Sequence, residues 1–253
     1  MPTIQSAPRW RTPLLVILAG CLISLTGFGI RSSFGLFLQP MTDSLGWSRE
    51  VYGFAMALQN LAWGIGLPFA GALADRIGPV RVIVVGAVMY ALGVYGMSIA
   101  DSPLVLHLAG GILAGLGIAF SSFTIALAAM VRVVGANKRS LALGLGTAAG
   151  SLGQFLFSPI AQGFISTWGW STALVLLAAI SLAMIPLSLV LPNDPSESTD
   201  RLANQTMSEA LREAATHSGF VLLTIGFFVC GFHVSFITVH FPAYIRDVGL
   251  DPS

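Results

Sequence analysis

The chain has 253 residues, of which 55% are hydrophobic and only 9% carry a charge. Because soluble domains carry about 25% charged residues, this composition excludes an ordinary soluble protein and indicates one that crosses a membrane several times. The net charge of +1 leaves no basic excess for binding nucleic acid, which is not expected as a partner.

Seven segments are long and apolar enough to cross a bilayer, which takes about 20 mostly apolar residues. They are joined by short loops, except for the longer polar segment 192–217. In its second half that segment predicts a short amphipathic helix, with Thr206 and Glu209 at capping-box spacing. The sequence therefore predicts an all-α bundle of membrane helices. The predicted spans are 13–38, 51–73, 81–100, 104–130, 140–166, 171–191 and 218–243.

The distribution of lysine and arginine predicts a multi-pass protein of the inner or plasma membrane with a cytoplasmic N-terminus. Cytoplasmic loops carry an excess of basic residues, and here nine fall on the side of the N-terminus. Arg49 and Arg246 fall on the opposite side, and Arg31 lies inside the first span. The nine are Arg9, Arg11, Arg76, Arg81, Arg132, Lys138, Arg139, Arg201 and Arg212.

A weak internal repeat relates the first and seventh spans at an offset of 204 residues. Gly27-Phe28 aligns with Gly231-Phe232, and Phe37 aligns with Phe241. Two related halves of six spans are a transporter design, so residue 218 is expected to open a second half. We expect a six-span half at 1–191, a cytoplasmic loop at 192–217, and the first span of a truncated second half at 218–253.

Residues 71–81 read GALADRIGPVR and connect the second and third predicted spans. Asp75 falls at the end of a helix, where the helix dipole disfavours a negative charge. We therefore expect a dedicated cationic partner for Asp75, and Arg132 at the cytoplasmic end of the fourth span is the best candidate. A turn with a purely structural role is the alternative.

This segment resembles the signature of the major facilitator superfamily, in which the same loop reads G-x-L-A-D-R-x-G-R-K. Six positions match, but Pro79 and Val80 stand where the family has basic residues. The resemblance implies the major facilitator fold and a conformational latch on the cytoplasmic side. Its residues here would be Gly71, Asp75, Arg76, Gly78 and Arg132.

Longer phrases resemble one branch of that superfamily, the bacterial relatives of monocarboxylate porters and oxalate:formate exchangers. Monocarboxylate porters place a basic residue late in the first span, and Arg31 occupies that place. The arginine that proton-coupled drug-efflux members carry in span four is replaced by Gly111. The phrases are SSFGLFLQPMTDSLGWSRE (32–50), NKRSLALGLGTAAGSLGQ (137–154), WGWSTAL (168–174) and HFPAYIRDVGL (240–250).

Arg31 is the central candidate because an arginine inside a span costs about 2.5–3.5 kcal/mol on insertion scales. Three interpretations stay open: it reaches to the outer interface, it pairs with an acid in the missing half, or it faces a cavity and holds an anion. The third is favoured because a guanidinium fork suits a carboxylate. Ser32, Gln59, Gln154 and His233 are the further candidates for binding substrate.

His233 could also carry a coupling proton, since a histidine titrates near neutral pH, or it could be a helix–helix hydrogen-bonding group. No catalytic motif and no clustered acids are present, so the protein is not expected to be an enzyme. Cys21 and Cys230 both fall in apolar runs, and no metal site or cofactor is predicted.

The sequence thus predicts secondary active transport of a small organic anion by alternating access, through proton symport or anion exchange. The expected partners are the substrate, a co-transported proton and the lipid bilayer. An efflux permease for other small molecules, or a truncated membrane protein that does not transport, is the alternative.

Overall fold

A computed structural model describes residues 12–134, 138–193 and 207–249, and every regular element in these ranges is helical. Helix α1 (Pro13–Ser33) begins at a proline, and the Thr12 side chain accepts a hydrogen bond from the Leu15 amide. A 3₁₀ turn (Phe34–Phe37) joins α1 to α2 (Leu38–Leu45). Helix α2 ends at Gly46, whose φ of 67° favours glycine.

Helix α3 (Arg49–Ile77) and helix α4 (Pro79–Ser98) are separated by a single residue, Gly78. Its φ of 93° lies in the region that L side chains rarely adopt. An added Cβ would also collide with the backbone carbonyl of Asn193. Gly78 is therefore required both by the turn and by the close approach of residue 193.

The next stretch, Pro103–Val133, changes its helical winding and is interrupted at residues 121–122, where Ser122 has an extended backbone. It comprises α5 (Pro103–Leu106), a π-helical segment (His107–Leu113), α6 (Ala114–Phe120) and α7 (Phe123–Val133). Widened turns of this kind are rare, occur mostly as single turns inside α-helices, and are frequent at functional sites.

Helix α8 (Arg139–Ser181) contains a break at Gly169, where φ is 80° and ψ is 165°. The break falls between the predicted spans 140–166 and 171–191, so one long element contains both. The chain continues with α9 (Met184–Ser188), α10 (Met207–Thr216) and α11 (Ser218–Asp247). Helix α10 is the predicted amphipathic helix, although Thr206 lies outside the described residues.

In the described part of the chain, five helical stretches could cross a membrane by length and composition, against seven predicted spans. The break at Gly169 accounts for one of the two differences. The other is α3, which has 29 residues but carries the polar pair Gln59 and Asn60 at its centre. The five stretches are Pro13–Leu45, Pro79–Ser98, Pro103–Val133, Arg139–Ser188 and Ser218–Pro242.

Close backbone approaches at glycine hold the bundle together. Helix α1 packs along α8, where a Cβ on Gly153 would collide with the carbonyl oxygen of Leu25. Helix α4 packs on α6 in the same way, with Gly117 against the backbone of Tyr90. Lipid gives helices no hydrophobic drive to associate, so small residues that permit such contacts stabilise the packing.

Replacing Gly153 with alanine should lower the melting temperature of the purified protein, because the methyl group would force α1 away from α8. Overpacking of this kind typically costs about 1–3 kcal/mol. Gly144→Ala on the same helix is the matched control, since nothing lies within 4 Å of its added Cβ. Equal melting temperatures for the two variants would show that the Gly153 contact does not support the fold.

Helix α11 differs from the rest because none of its apolar window is buried. It contacts the other described helices near the 3₁₀ turn and α2. A Cβ on Gly35 would collide there with the carbonyl oxygen of Thr238. Helix α11 therefore meets the bundle closely at the end of α1.

Candidate functional site

The guanidinium of Arg31 lies between α1 and α3, close to the middle of the bundle. Its Nη2 donates a hydrogen bond to Asn60 Oδ1 at 2.7 Å, and its Cζ lies 4.5 Å from the ring centroid of Trp63. Trp63 is the central residue of α3, and Asn60 is one turn away. The guanidinium is thus held at mid-depth, which does not support the interpretation that it reaches to the outer end of α1.

Both partners of Arg31 are electrically neutral. Asn60 is itself fixed, because its Nδ2 donates to the Met56 carbonyl at 2.9 Å. The Trp63 ring offers a cation–π contact, which becomes stronger where water is excluded. Within the described residues, no acidic side chain forms an ion pair with Arg31. The positive charge at the centre of the bundle is therefore not neutralised there.

Two small cavities border the guanidinium on different sides. The inner cavity is bounded by α1, by Trp63 and Tyr90, and by the junction of α6 and α7. The outer cavity is bounded by Gly35 and Asn60 and by the facing side of α11. Each has a volume of about 20 Å³, which suffices for about one water molecule. Neither cavity is large enough for a whole substrate.

The outer cavity includes one of the four other predicted substrate-binding residues. Gln59 borders it, but the amide is buried and its Nε2 donates to the Gly110 carbonyl at 2.7 Å. This bond joins α3 to the π-helical segment. Gln59 therefore has a clear role in helix packing at a position next to Arg31.

Ser32 and Gln154 do not border either cavity. The Ser32 hydroxyl donates to the Gly29 carbonyl at 2.8 Å and also lies 3.4 Å from the Gln154 carbonyl. The contact to Gln154 involves its backbone, while the Gln154 residue as a whole is exposed on α8. Because adjacent helical residues point about 100° apart, Ser32 faces α8 while Arg31 faces α3.

His233 also lies away from the two cavities. Its Nδ1 is 2.9 Å from the Val229 carbonyl on the same helix, and the side chain is exposed. The residues of α11 that reach the outer cavity are Ser235, Thr238 and Val239. These share one helical face, from which His233 is turned by about 200° relative to Ser235. His233 therefore lies on the opposite side of α11 from the residues that reach the outer cavity.

Trp63 and Tyr90 border the inner cavity and were not among the predicted site residues. Each lies in an apolar segment of the sequence, where an aromatic side chain is expected to belong to the core. Tyr90 is fully buried and meets the Phe34 ring edge-on, with 6.4 Å between the centroids. That Trp63 and Tyr90 border the same cavity as Arg31 becomes apparent only when α1, α3 and α4 are packed together.

The second predicted site lies at the far end of α3. Arg132 Nη2 is 3.2 Å from Asp75 Oδ1, so the partner expected for Asp75 is present. The two side chains are 30% and 57% exposed, respectively. Exposed ion pairs contribute less than about 1 kcal/mol, so this pair adds little to the stability of the fold.

The remaining latch candidates surround that ion pair. Gly71, Asp75 and Arg132 border one groove, together with the first turn of α4. Gly78 forms the turn described above, and Arg76 is exposed beside it. The structure thus brings Gly71, Asp75 and Arg132 together at one groove, while Gly78 packs against Asn193 and Arg76 is exposed.

Gly111 packs tightly against α3. A Cβ there would lie 3.0 Å from Leu58 Cβ and 3.2 Å from the Ala55 carbonyl oxygen. An arginine side chain at this position would need α3 to move away. The packing thus explains why glycine stands at 111.

Comparison with known protein families identifies this arrangement of helices. The profile of the Major Facilitator Superfamily matches residues 16–253, which is nearly the whole chain. The chain belongs to the major facilitator superfamily. Monocarboxylate transporter 13 of Rattus norvegicus is 28% identical over 238 residues, which cover 94% of this chain and 55% of that protein. Monocarboxylate transporter 11 of Homo sapiens is 33% identical over 186 residues, or 72% of this chain and 39% of that protein.

A solved structure shows the same fold. It is a bacterial homolog of the human lysosomal transporter Spinster, in an inward-facing and unoccupied conformation. The TM-score is 0.67 at 19% identity, covering 97% of this chain and 58% of that chain. The prediction of an all-α major facilitator fold is therefore confirmed. The named relatives are transporters, in agreement with the prediction that this superfamily member is not an enzyme, and the chain spans about half their length.

Proposed function

We propose that the intact protein is a secondary transporter that moves a small organic anion, of the monocarboxylate type, across the cell membrane by alternating access. The observation that carries this proposal is the Arg31 guanidinium, held at mid-depth by Asn60 and Trp63, both neutral. A charge in that position is costly, and leaving it without an acidic partner increases the cost. A substrate carboxylate would supply the missing negative charge.

The chemistry of the side chain favours a carboxylate as ligand. A guanidinium presents several N–H donors in a planar fork, which can bind both oxygens of one carboxylate. Asn60 uses only part of that donor capacity. The names of the relatives, monocarboxylate transporters 13 and 11, support the same substrate class.

Contacts at the two ends of α3 support a mechanism of alternating access. Near its start, the Tyr52 hydroxyl donates to the Phe34 carbonyl at 2.6 Å, beside the place where Gly35 meets α11. Near its end, Asp75 pairs with Arg132. Opening one end while the other stays closed would expose Arg31 to each side in turn. We place the α3 end with Asp75, and the N-terminus, in the cytoplasm.

The coupling mechanism is proposed as proton symport or anion exchange. The Arg31 cation at the centre of the site disfavours the alternative of an efflux permease for other small molecules. A cationic substrate would be repelled by Arg31, and an uncharged substrate would leave the Arg31 charge unpaired. Gly111 occupies the position at which drug-efflux members of the superfamily carry an arginine in span four. Its close packing against α3 leaves no room for an arginine side chain there.

Replacing Asp75 with asparagine should slow transport several-fold while leaving the half-saturating substrate concentration nearly unchanged. The variant loses the ion pair to Arg132 but keeps the shape of the side chain. Initial uptake rates over a range of substrate concentrations measure both quantities. Asp101→Asn is the matched control, because Asp101 is exposed in the loop after α4. An unchanged maximal rate in Asp75→Asn would contradict the latch.

Counterflow in proteoliposomes tests the proposed function. Vesicles containing the intact protein are loaded with an unlabelled monocarboxylate, and entry of the labelled compound is followed with competitors outside. Small monocarboxylates should compete, whereas their amides and organic cations should not. Imposed pH gradients then distinguish symport from exchange. Competition by amides as strong as that by carboxylates would contradict an anion site.

A further inference from the structure

Two buried polar groups beside Arg31 have no hydrogen-bond partner. They are the indole Nε1 of Trp63 and the hydroxyl of Tyr90, and Tyr90 is completely buried. Buried polar atoms are nearly always satisfied in native proteins, because an unpaired one costs the loss of its bonds to water. Two such atoms on one cavity therefore require an explanation.

Both groups border the inner cavity that also borders Arg31. The Trp63 ring lies under the guanidinium, so three hydrogen-bond donors from α1, α3 and α4 gather at one void. The hydroxyls that share the cavity are already used: Ser24 donates to Gly20 at 3.0 Å, Ser121 donates to Gly117 at 2.7 Å, and Ser122 lies 2.8 Å from the Thr124 hydroxyl. No acidic residue borders this cavity among the described residues.

The chemistry of the three groups points to one kind of ligand atom. An indole nitrogen can only donate, a guanidinium can only donate, and a phenol can donate while its own oxygen accepts from another group. An electron-rich oxygen with a negative charge satisfies all three. The void of about 20 Å³ holds one atom of that size, which is one oxygen of a carboxylate and not a whole substrate.

We propose that Trp63 and Tyr90 are substrate-binding residues, whose N–H and O–H groups donate to a carboxylate oxygen placed beside the Arg31 guanidinium. This inference rests on the proposed function and specifies how its anion is bound. The second oxygen of the same carboxylate accepts hydrogen bonds from the Arg31 guanidinium. The remainder of the anion does not fit in this void and lies beyond it, past the apolar residues of its lining, Ile23, Phe28, Ile118 and Phe123.

Two substitutions remove the donors and keep the rings. Tyr90→Phe deletes one oxygen atom and preserves the edge-on contact with Phe34. Trp63→Phe deletes the N–H and preserves an aromatic face for Arg31. The matched controls are Tyr95→Phe on the same helix as Tyr90, and Trp168→Phe, since both Tyr95 and Trp168 are exposed.

The experiment measures uptake of a labelled monocarboxylate by the intact protein in proteoliposomes, at equal amounts of protein. We expect the half-saturating concentration to rise about tenfold in Tyr90→Phe and in Trp63→Phe, because each loses a hydrogen bond to a charged group. The maximal rate should stay within about twofold, and both controls should match the wild type. If Trp63→Phe does not reach the membrane, the half-saturating concentration of Tyr90→Phe alone tests the inference.

The outcomes separate this inference from the proposed function. If Tyr90→Phe and Trp63→Phe keep the wild-type half-saturating concentration while Arg31→Gln is inactive, the two donors do not bind substrate and the anion site stands. A lower maximal rate with unchanged half-saturation also overturns the inference, because it indicates a role in shape or movement. If Arg31→Gln transports normally, the proposed function itself is wrong.

Discussion

Arg31→Gln should reduce uptake of a small carboxylate by about 100-fold or more, with normal amounts of protein in the membrane. Glutamine is shorter than arginine and neutral, so it offers no charge for the anion, no cation for Trp63 and no bond to Asn60 at the present distance. Removing one partner of a buried, hydrogen-bonded charge pair costs about 2–5 kcal/mol, and each 1.4 kcal/mol is a factor of ten. Initial uptake rates and surface labelling give the two quantities.

The control for this variant is Arg81→Gln, since Arg81 is exposed in the first turn of α4. It removes the same charge from the protein at a distance from the site and should transport like the wild type. Arg31→Lys keeps the charge but loses the planar fork, so its uptake should fall between those of Arg31→Gln and the wild type. Normal transport by Arg31→Gln would exclude Arg31 as the anion-binding group.

Asn60→Asp should inhibit transport almost as strongly, although it adds a group that binds arginine better. The new carboxylate would take the position of Asn60 Oδ1, 2.7 Å from the guanidinium, and neutralise it permanently. A charge-assisted bond of this kind is about twice as strong as a neutral one. A substrate anion would then compete with an acid that is already in place.

The behaviour of this variant distinguishes competition from damage to the fold. Asn60→Asp should melt at the same temperature as the wild type or higher, because it pairs a charge that is otherwise unpaired within the described residues. Asn60→Ala is the control: it removes the neutral partner, leaves the cation available, and should retain uptake within a few-fold. Transport by Asn60→Asp at the wild-type rate would mean that the substrate does not meet Arg31.

Much of the fold could be predicted because its physical causes are local. Apolar length gave the approximate helix positions, and the charge of Asp75 at a helix end predicted a cationic partner, which is Arg132. The cost of an arginine inside a span likewise identified Arg31 as the residue to explain. In both cases a charge in an energetically unfavourable position indicated that a stabilising contact must be present.

The composition of the site was harder to predict because a sequence gives depth in the membrane but not the facing side of a helix. Ser32 and His233 have suitable depth, yet they face α8 and away from the cavities. The facing side depends on how the helices pack, which is set by glycine contacts such as that of Gly35 with Thr238. A shift of one residue changes the direction of a side chain by about 100°.

Trp63 and Tyr90 illustrate a different limit. An aromatic residue in an apolar run has the same appearance whether its polar atom is satisfied or left for a ligand. The missing hydrogen bonds at Trp63 Nε1 and the Tyr90 hydroxyl become visible only with three helices in place. The backbone geometry of a helix break is likewise not apparent from an apolar sequence, as the non-helical Gly169 within α8 illustrates.

The most direct test of the anion site is equilibrium binding of one small monocarboxylate and of its amide to the purified intact protein. The two compounds have nearly the same shape and differ in charge. The account predicts saturable binding of the carboxylate and at least tenfold weaker binding of the amide. Equal binding of both compounds would contradict a site built around the charge of Arg31.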